Sequence, residues 1–187
     1  ISPDLTTNDP AKQQQEKSGG ITVDNSAAEM HTTIYSISAS VQDGRVIWVG
    51  TDDGNVQVTR DGGQTWTNTV RNIRGLPKAS WVSWIEASRF DAATAYATFD
   101  RHTFGDLDPH VYVTRDFGRS WTRIADQAQG VRGYAHVIRE DVVDRNLLFL
   151  GTEFGLWISI DGGANWAAFT GGKFPAVAVR DLAIQPR

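Results

Sequence analysis

The stretch TRDGGQTW at residues 59–66 decides the fold, because the chain repeats it as TRDFGRSW at 114–121 and SIDGGANW at 159–166. All three octets read Ser/Thr-x-Asp-x-Gly-x-x-Trp. Their aspartates fall at 61, 116 and 161, so the repeats are 55 and 45 residues long. Self-similarity at such a period is typical of folds in which one supersecondary unit packs on the next. The octets therefore predict a stacked or radial repeat architecture.

Each octet is predicted to be the turn of a β-hairpin. A run with strand character ends just before each aspartate, as in VQVTR before Asp61, and a second run begins at each tryptophan. An aspartate carboxylate suits such a turn because it accepts hydrogen bonds from backbone N–H groups two residues on, and glycine supplies the positive φ. The tryptophan then covers the hairpin with apolar surface. The structural residues of the three turns are Asp61, Gly63, Trp66, Asp116, Gly118, Trp121, Asp161, Gly163 and Trp166.

The octet aspartates are also candidate acids or metal ligands. We favour the scaffold interpretation, because the same residue types cap turns without any chemistry. No Asp-x-Asp-x-Asp-Gly calcium loop accompanies them. The third octet has Asn165 where Thr65 and Ser120 stand in the others. We expect this difference to weaken one cap and to leave the turn intact.

The octet resembles the Asp-box, or bacterial neuraminidase repeat, of sialidases, xyloglucanases and sortilin-type receptors. The resemblance implies a β-propeller in which the box joins the third and fourth strands of each four-stranded antiparallel blade. A narrower group of large secreted bacterial proteins, labelled sortilin-like or glycosyl-hydrolase-like, is similar over the whole chain and implies a secreted, periplasmic or cell-surface location. The stretches that carry this second resemblance are ISPDLT, GTDDG, DRH, RED and VRDLA, at 1–6, 50–54, 100–102, 139–141 and 179–183.

The composition limits the possible partners. The chain has 187 residues, 40% of them hydrophobic, which is enough for one substantial core. Its net charge of −4 lacks the basic character of a nucleic-acid-binding surface. No apolar run approaches the roughly 18 residues of a membrane helix, and the absence of cysteine excludes disulfides and thiol catalysis. We expect no cofactor, no metal ion, no nucleic-acid partner and no membrane span.

Four runs with strand character surround each octet, so the fold class is all-β. We place full blades at 31–70, 81–126 and 135–169, and the inner strand of a further blade at 177–185. Residues 1–30 are predicted to hold the tail strand of a preceding blade, Ile1–Thr7, and a polar linker with a possible short helix from Pro10 to Lys17.

Three blades and parts of two neighbours make an incomplete propeller. Closed propellers usually need about 4–8 blades, and an open sheet edge favours further pairing. We therefore expect the chain to be a fragment whose ring is completed by the rest of a longer parent chain or by further copies of itself.

Loop lengths single out one side of this propeller for binding. The connections between first and second strands are short and share the octet side, at 42–45, 89–93 and 141–146. The opposite side has longer and more polar connections, at 71–80, 100–109, 126–134 and 170–176. Binding residues concentrate on such loops above a rigid scaffold. The resemblance to sialidases implies the same side.

The candidate binding residues lie on these long connections. The stretch 99–110, FDRHTFGDLDPH, offers a metal site or an acid/base pair, or else a solvated insertion. The arginines could form a basic rim for carboxylates or acidic glycans, although dispersed surface charge explains them too. Tyr134, Trp81 and Trp84 could stack on sugars, but tryptophans that begin an inner strand are more often core. The candidate set is Arg71, Arg74, Asp100, Arg101, His102, His110, Arg132 and Tyr134.

No residue is assigned a catalytic role. Arg139, Glu140 and Asp141, like Arg180 and Asp181, are predicted to tie neighbouring blades by ion pairs. The favoured function is a non-catalytic extracellular module that binds a protein, peptide or glycan on the long-loop side. The alternatives are a part of a glycoside hydrolase, which needs two carboxylates about 5–9.5 Å apart, and a structural propeller segment that self-assembles.

Overall fold

The computed structural model describes residues 2–13 and 31–185. Within these ranges, three antiparallel sheets of four strands follow one another, each with its strands in chain order. The first contains β1 (Ile34–Ala39), β2 (Ile47–Thr51), β3 (Val56–Thr59) and β4 (Thr67–Asn68). The second contains β5 (Trp81–Ala87), β6 (Ala95–Arg101), β7 (Asp106–Thr114) and β8 (Thr122–Ala125), and the third β9 (Ala135–Glu140), β10 (Leu148–Thr152), β11 (Gly155–Ser159) and β12 (Ala167–Ala168). The predicted all-β fold, with four-stranded propeller blades, is confirmed.

Helical structure in the described ranges is limited to short 3-10 turns after some of the strands. These are Val70–Asn72, His102–Phe104, Gln127–Gln129 and Gly171–Lys173. No helix among the described residues has the length and hydrophobicity needed to cross a membrane.

The sheets pack face to face, and the core lies in the two joints between them. Trp48, Phe99 and Tyr112 are buried between the first and second sheets, and Ile138 and Leu150 between the second and third. The second sheet is covered on both faces, so β6 is buried along all but its last residue. A strand buried on both sides needs an uninterrupted run of apolar and small residues, and AYATF in β6 is such a run.

The inner strand of one sheet comes very close to the sheet before it. A Cβ atom at Gly50 in β2 would lie only 2.3 Å from Val82 Cγ1 in β5, so this position admits glycine alone. Gly151 in β10 has the same relation to Val179, whose carbonyl oxygen would lie 2.3 Å from an added Cβ. The Val179 N–H donates to the Thr152 carbonyl at 2.9 Å.

Residues 177–185 therefore lie on the third sheet much as β5 lies on the first. They carry no strand assignment and pair with no strand among the described residues. The inner strand of a further blade stays a prediction.

Two charged residues of β9 join the third sheet to the second. The buried carboxylate of Glu140 accepts hydrogen bonds from Ser88 Oγ at 2.8 Å, from the Arg89 N–H at 2.7 Å and from the Tyr96 hydroxyl at 3.0 Å. Burial, followed by the charge of Glu140, raises the pKa of Tyr96. We expected an ion pair at Glu140. The structure has neutral donors there instead.

Arg139 makes the ion pair that the sequence predicts between blades. Its guanidinium lies 2.8 Å from Glu86 Oε2 of β5 and 4.2 Å above the ring of Trp84. Burial raises the pKa of Glu86, and the charge of Arg139 opposes that shift. Arg139 also lies 3.5 Å from Asp181 Oδ1 and donates to the Leu182 carbonyl at 2.8 Å, so it holds residues 177–185 as well.

The segment before the first sheet packs on it without forming a strand. Leu5 is buried, and its carbonyl accepts hydrogen bonds from the side-chain amides of Asn55 and Gln57, each at 3.0 Å. The predicted tail strand Ile1–Thr7 has no strand partner among the described residues and stays a prediction. Residues 10–12 form a turn. The rest of the predicted helix, 14–17, lies outside the described residues.

The predicted loop 100–109 is shorter than expected. Strand β6 runs on through Arg101, and β7 already begins at Asp106, which pairs with it. The register between β6 and β7 shifts between Phe99 and Arg101. The residues of β7 around Pro109 therefore form a bulge. Proline is tolerated there because a bulge does not need its missing N–H.

The three octets form the same type of turn, with the same hydrogen bonds at the aspartate and at the first Ser/Thr. Asp61 Oδ1 accepts from the Thr65 N–H at 2.9 Å, and Oδ2 accepts from the Thr65 hydroxyl at 2.6 Å. The Thr59 hydroxyl donates to Asp61 at 2.8 Å and accepts from the Gly63 N–H at 2.9 Å. The carboxylate thus caps the backbone four residues on, and the expectation of two residues on is wrong. The four-residue reach arises because glycine at positive φ folds the chain back over the carboxylate.

The third octet keeps the complete set of bonds. The Asn165 side-chain amide donates to Asp161 Oδ2 at 2.7 Å, in place of the hydroxyls of Thr65 and Ser120. The expected weakening of this cap is therefore wrong, because an amide N–H donates to a carboxylate as a hydroxyl does. The hydrogen bonds from residue 165 and Ser159 lower the pKa of Asp161 to about 2.

Candidate functional site

A cleft of about 250 Å³ lies on the side of the sheets away from the octets. The octet turns lie beside the short connections, as shown by hydrogen bonds from the Gly62 N–H to the Arg45 carbonyl and from the Gly162 N–H to the Asn146 carbonyl. The cleft is built from the opposite strand ends, with contributions from all three sheets. Its lining residues are Tyr35, Trp81, Ser83, Trp84, Asp100, His102, Tyr134, His136 and Arg180.

A bulge in β5 brings two tryptophans to this cleft. Trp81 and Trp84 are three residues apart, so in a regular strand they would face opposite sides of the sheet. The pairing of β5 with β6 shifts register between Val82 and Trp84. Bulges of this kind turn a side chain toward a functional site. Both indoles are half-buried and line the cleft. Trp84 also packs against the core between the second and third sheets, and Arg139 covers its ring, so the core alternative applies to it in part.

The aromatic wall of the cleft contains Tyr35 and Trp81. Tyr35 packs edge-on against Trp81, with ring centroids 4.7 Å apart and the rings at 82°. Tyr35 is 55% exposed. The Trp81 indole N–H is buried and has no hydrogen-bond partner among the described residues. A buried donor without a partner is costly.

The opposite wall contains a histidine fixed by an aspartate. His102 Nδ1 lies 2.7 Å and 2.9 Å from the two carboxylate oxygens of Asp100, whose side chain is almost fully buried. The His102 ring stacks on Tyr134, with centroids 4.8 Å apart at 23°. Since Nδ1 faces the carboxylate, Nε2 is the nitrogen left for a ligand.

A second carboxylate–histidine pair lies on the other side of Tyr134. His136 Nε2 is 2.9 Å from Glu153 Oε2, and the Tyr134 and His136 rings meet edge-on at 4.9 Å. The hydrogen bond from His136 is the largest cause that lowers the pKa of Glu153, and a hydrogen bond from Tyr134 adds to it. Glu153 is therefore ionised at neutral pH and acts as an acceptor.

Three of the eight candidate residues come together in the cleft: Asp100, His102 and Tyr134. Arg101 does not line it, because its guanidinium lies 3.1 Å from Asp106 Oδ2 and donates to the Lys78 carbonyl at 3.2 Å. His110 is buried in β7, with Nε2 2.8 Å from Asp106 Oδ2.

The other three candidates lie elsewhere. Arg71 and Arg74 are exposed on the connection between the first and second sheets and do not line the cleft. Arg132 lines a neighbouring depression on the same side as the cleft. The basic rim that the sequence offers as one alternative is thus dispersed over separate parts of the surface.

Sequence reasoning missed Tyr35 and His136 as cleft residues, and Glu153 as the partner of His136. A signal for Glu153 was present, because an acidic residue ends the second strand of every blade: Asp52 after Gly50-Thr51, Asp100 after Phe99, and Glu153 after Gly151-Thr152. The repeated position places one carboxylate per sheet at the same strand end. No comparable pattern marks Tyr35 or His136.

Glu153 lacks the raised pKa of a general acid. A general acid must keep its proton near neutral pH, whereas the pKa of Glu153 is lowered. Both oxygens of Asp100 contact His102. Glu86 has a raised pKa, but it lies buried under Arg139 and does not line the cleft. In the described ranges, no group of three or more histidine and acidic side chains is placed to hold a metal ion.

Comparison with known proteins identifies the repeat. The family model described as BNR/Asp-box repeat matches residues 57–68, which contain the first octet. The chain is also 32% identical over 85 residues to an oligoxyloglucan-reducing end-specific xyloglucanase of Emericella nidulans. That match covers 43% of this chain and 9% of the xyloglucanase.

Solved structures show the same fold at low identity. An ancestral GH74 enzyme is 17% identical with a TM-score of 0.59, covering 76% of this chain and 19% of its own. The GH74 xyloglucanase from Xanthomonas campestris is 14% identical with a TM-score of 0.58, covering 78% of this chain and 24% of its own. YCF48 bound to D1 peptide is 22% identical with a TM-score of 0.58, covering 82% of this chain and 46% of its own. The chain thus spans less than half the length of each of these proteins.

Proposed function

We propose that the cleft binds a glycan chain and that the sheets serve as an extracellular binding segment of a carbohydrate-recognising propeller. The observation that carries this proposal is the pair of walls described above. Indole and phenol rings face a wall of carboxylate and imidazole groups across about 250 Å³. A sugar ring has an apolar C–H face for stacking and hydroxyl groups that donate to carboxylates, so it matches both walls.

The similarity to a xyloglucanase supports the choice of ligand. Among the ligands considered for this surface, a β-glucan is the one that the name of this 32% identical relative indicates. A secreted, periplasmic or cell-surface location agrees with such a ligand and is part of the proposal.

Binding of β-glucan oligosaccharides to the purified chain tests this function. We expect cello- and xylogluco-oligosaccharides to bind in isothermal titration calorimetry, and Trp81→Ala to weaken binding by at least about tenfold, since one stacked ring contributes about 1.4 kcal/mol or more. Tyr35→Ala gives the same test at an exposed side chain, where failure to fold is not a concern. Trp66→Ala is the matched control, because this tryptophan belongs to an octet on the opposite side.

Two results would contradict the proposal. One is that no neutral oligosaccharide binds at millimolar concentration to the folded chain. The other is that Trp81→Ala and Tyr35→Ala bind as tightly as the unchanged protein. Binding of a peptide with loss of affinity in Trp81→Ala would assign the cleft to a protein ligand; YCF48, which has a similar fold, has been solved bound to D1 peptide.

A catalytic role is the second candidate, and the xyloglucanase similarity is the observation that favours it. Release of reducing sugar from xyloglucan, lost in Glu153→Gln while oligosaccharide binding is kept, would establish that role. Retained hydrolysis in this variant would exclude Glu153 from the chemistry.

A further inference from the structure

A second depression, of about 360 Å³, lies beside the cleft on the same side of the molecule. It is formed by the connection between β8 and β9 and by the turn between β10 and β11, with one residue from β7. Its lining residues are Leu107, Gln127, Gly130, Arg132, Gly133 and Phe154.

The depression and the cleft share a boundary. Gly133, which lines the depression, precedes Tyr134, which lines the cleft. Phe154, which lines the depression, follows Glu153, the partner of the cleft residue His136. The Glu153 N–H donates to the Tyr134 carbonyl at 3.1 Å, which joins the two segments at this point. A ligand that extends along the cleft past Tyr134 therefore reaches the depression next.

Two apolar side chains of the depression face solvent. Phe154 is 53% and Leu107 is 45% exposed. The Phe154 ring lies against Gly133, where an added Cβ would be 2.9 Å from Cδ2 of the ring. Gly133 also has a φ of 83°, which disfavours any other residue. The chain thus holds the ring in a fixed place at the surface.

Arg132 gives the depression an available positive charge. Of the other arginines nearby, Arg123 contacts the Asp108 carboxylate, and the exposed Arg180, whose guanidinium lies 3.9 Å from Glu153, lines the cleft and not the depression. Arg132 is exposed and forms no ion pair with any described residue. A guanidinium without a carboxylate partner is suited to bidentate binding of a carboxylate on a ligand.

We propose that the binding groove continues from the cleft into this depression, and that the depression takes an acidic sugar unit of the same glycan. A uronic acid has both features that the lining calls for. Its pyranose ring offers a C–H face to Phe154 and Leu107, and its carboxylate pairs with Arg132. This inference rests on the proposed function, because the depression extends the glycan cleft, and it narrows the ligand to a uronate-bearing chain.

The test compares two gluco-oligosaccharides of equal length, one neutral and one with a terminal glucuronic acid. In calorimetry at low salt, we expect the acidic oligosaccharide to bind about tenfold more tightly, as one charge-assisted bidentate pair allows. Added salt should reduce this preference, because the site is exposed. Arg132→Gln should abolish the preference and leave the affinity for the neutral oligosaccharide unchanged.

Arg74→Gln is the matched control, since Arg74 is exposed on a connection outside the groove, and it should keep the full preference. Equal binding of both oligosaccharides by the unchanged protein would overturn the inference and leave the proposed function standing. A preference that survives in Arg132→Gln would overturn it as well. Binding of neither oligosaccharide would remove the proposed function, and binding of an acidic peptide alone would replace the glycan.

Discussion

The first Asp-box and the two later ones have the same hydrogen bonds at the aspartate and at the first Ser/Thr, but different surroundings. A Cβ at Gly118 would lie 2.4 Å from Thr69 Cγ2 of the first sheet, and a Cβ at Gly163 would lie 2.9 Å from Ile124 Cβ of the second. At Gly63, the nearest atoms belong to the Trp66 ring of the same box, 3.9 Å away.

The tryptophans differ in the same way. Trp121 is buried and packs edge-on against Trp48 of the first sheet, with ring centroids 5.8 Å apart. Trp166 is buried too, and its indole N–H donates to the Ile124 carbonyl of the second sheet at 2.6 Å. Trp66 is only half-buried, and its N–H donates to Gly63 of its own box at 3.1 Å.

This comparison separates two roles within one motif. The Ser/Thr, the aspartate and the donor at the seventh position build the turn from local bonds alone, because these bonds are identical in all three boxes. The glycine at the fifth position and the tryptophan join a blade to the one before it. The first box has no such neighbouring sheet among the described residues. Substitutions in it therefore report the stability of the turn alone, without the contact between blades.

Replacement of the tryptophans should show the largest difference. Trp121→Ala removes a buried indole from the joint and should lower the free energy of unfolding by about 3–5 kcal/mol. Trp66→Ala should cost less than half as much, because its ring is already partly in water. Urea unfolding followed by circular dichroism measures both. Equal losses would show that Trp66 is as well packed as Trp121 and would end the distinction.

Replacement of the fifth-position glycines should give the next largest effect. Both residues have positive φ, 78° at Gly118 and 95° at Gly63, so alanine at either position carries a backbone cost of about 1–2 kcal/mol. At Gly118 the clash with Thr69 adds to it, and the total loss should be about 2–4 kcal/mol. The double variant Gly118→Ala/Thr69→Ser checks the cause, since removal of the methyl group should restore part of the loss. If Gly63→Ala were as harmful as Gly118→Ala, the clash would not be the reason.

The indole N–H groups allow a finer test of the joint. Trp166→Phe leaves the buried Ile124 carbonyl without its donor and should cost about 1–2 kcal/mol beyond the lost ring volume. Trp121→Phe is the matched control, because the Trp121 N–H has no hydrogen-bond partner among the described residues. We expect the difference between the two variants in thermal unfolding to report the hydrogen bond. No difference would assign the cost to volume alone.

The smallest effect should be the same in the first and third boxes. Hydrogen bonds, first of all from Thr65 and Asn165, lower the pKa values of Asp61 and Asp161 to about 2 from an ordinary value of 3.8. A carboxyl group with a lowered pKa stabilises the fold above pH 3.8, and this contribution is lost as the pH falls toward 2.

Thermal unfolding between about pH 5 and pH 2, which spans the ordinary and the lowered pKa values, measures that loss. Asp61→Asn and Asp161→Asn should each flatten the pH dependence to a similar extent. A much larger effect of Asp161→Asn would mean that the joint, and not the turn itself, sets the pKa.

The fold could be predicted from the sequence to the level of blades because the boxes are local. Each box closes its bonds within eight residues, so its pattern is visible in the chain. The cap by Asn165 was misjudged because a side-chain amide and a hydroxyl look unlike in sequence but donate alike. The course of β6 and β7 was missed because Pro109 and the acidic residues suggest a loop, whereas a bulge lets the strand continue.

The candidate site was only partly predictable, since it depends on how separate blades meet. Asp100, His102 and Tyr134 were selected from long connections, and packing of the second and third sheets brings them together. Arg101 and His110 share those connections, yet both contact Asp106 instead. The positions of Trp81 and Trp84 in the cleft depend on a bulge in β5. The sequence pattern does not reveal this bulge. These outcomes are set by contacts between residues far apart in the chain.

Glu140 has a consequence for how the molecule unfolds. Its buried carboxylate holds three donors that all belong to the second sheet. If the third sheet separated from the second, all three hydrogen bonds would break together. A partly detached third sheet would therefore lose as many of these bonds as a fully detached one. The two sheets should therefore open as one cooperative unit. In hydrogen exchange with deuterated solvent, the backbone amides of β5 and β9 should report the same free energy of opening. The amides of β1 should exchange sooner.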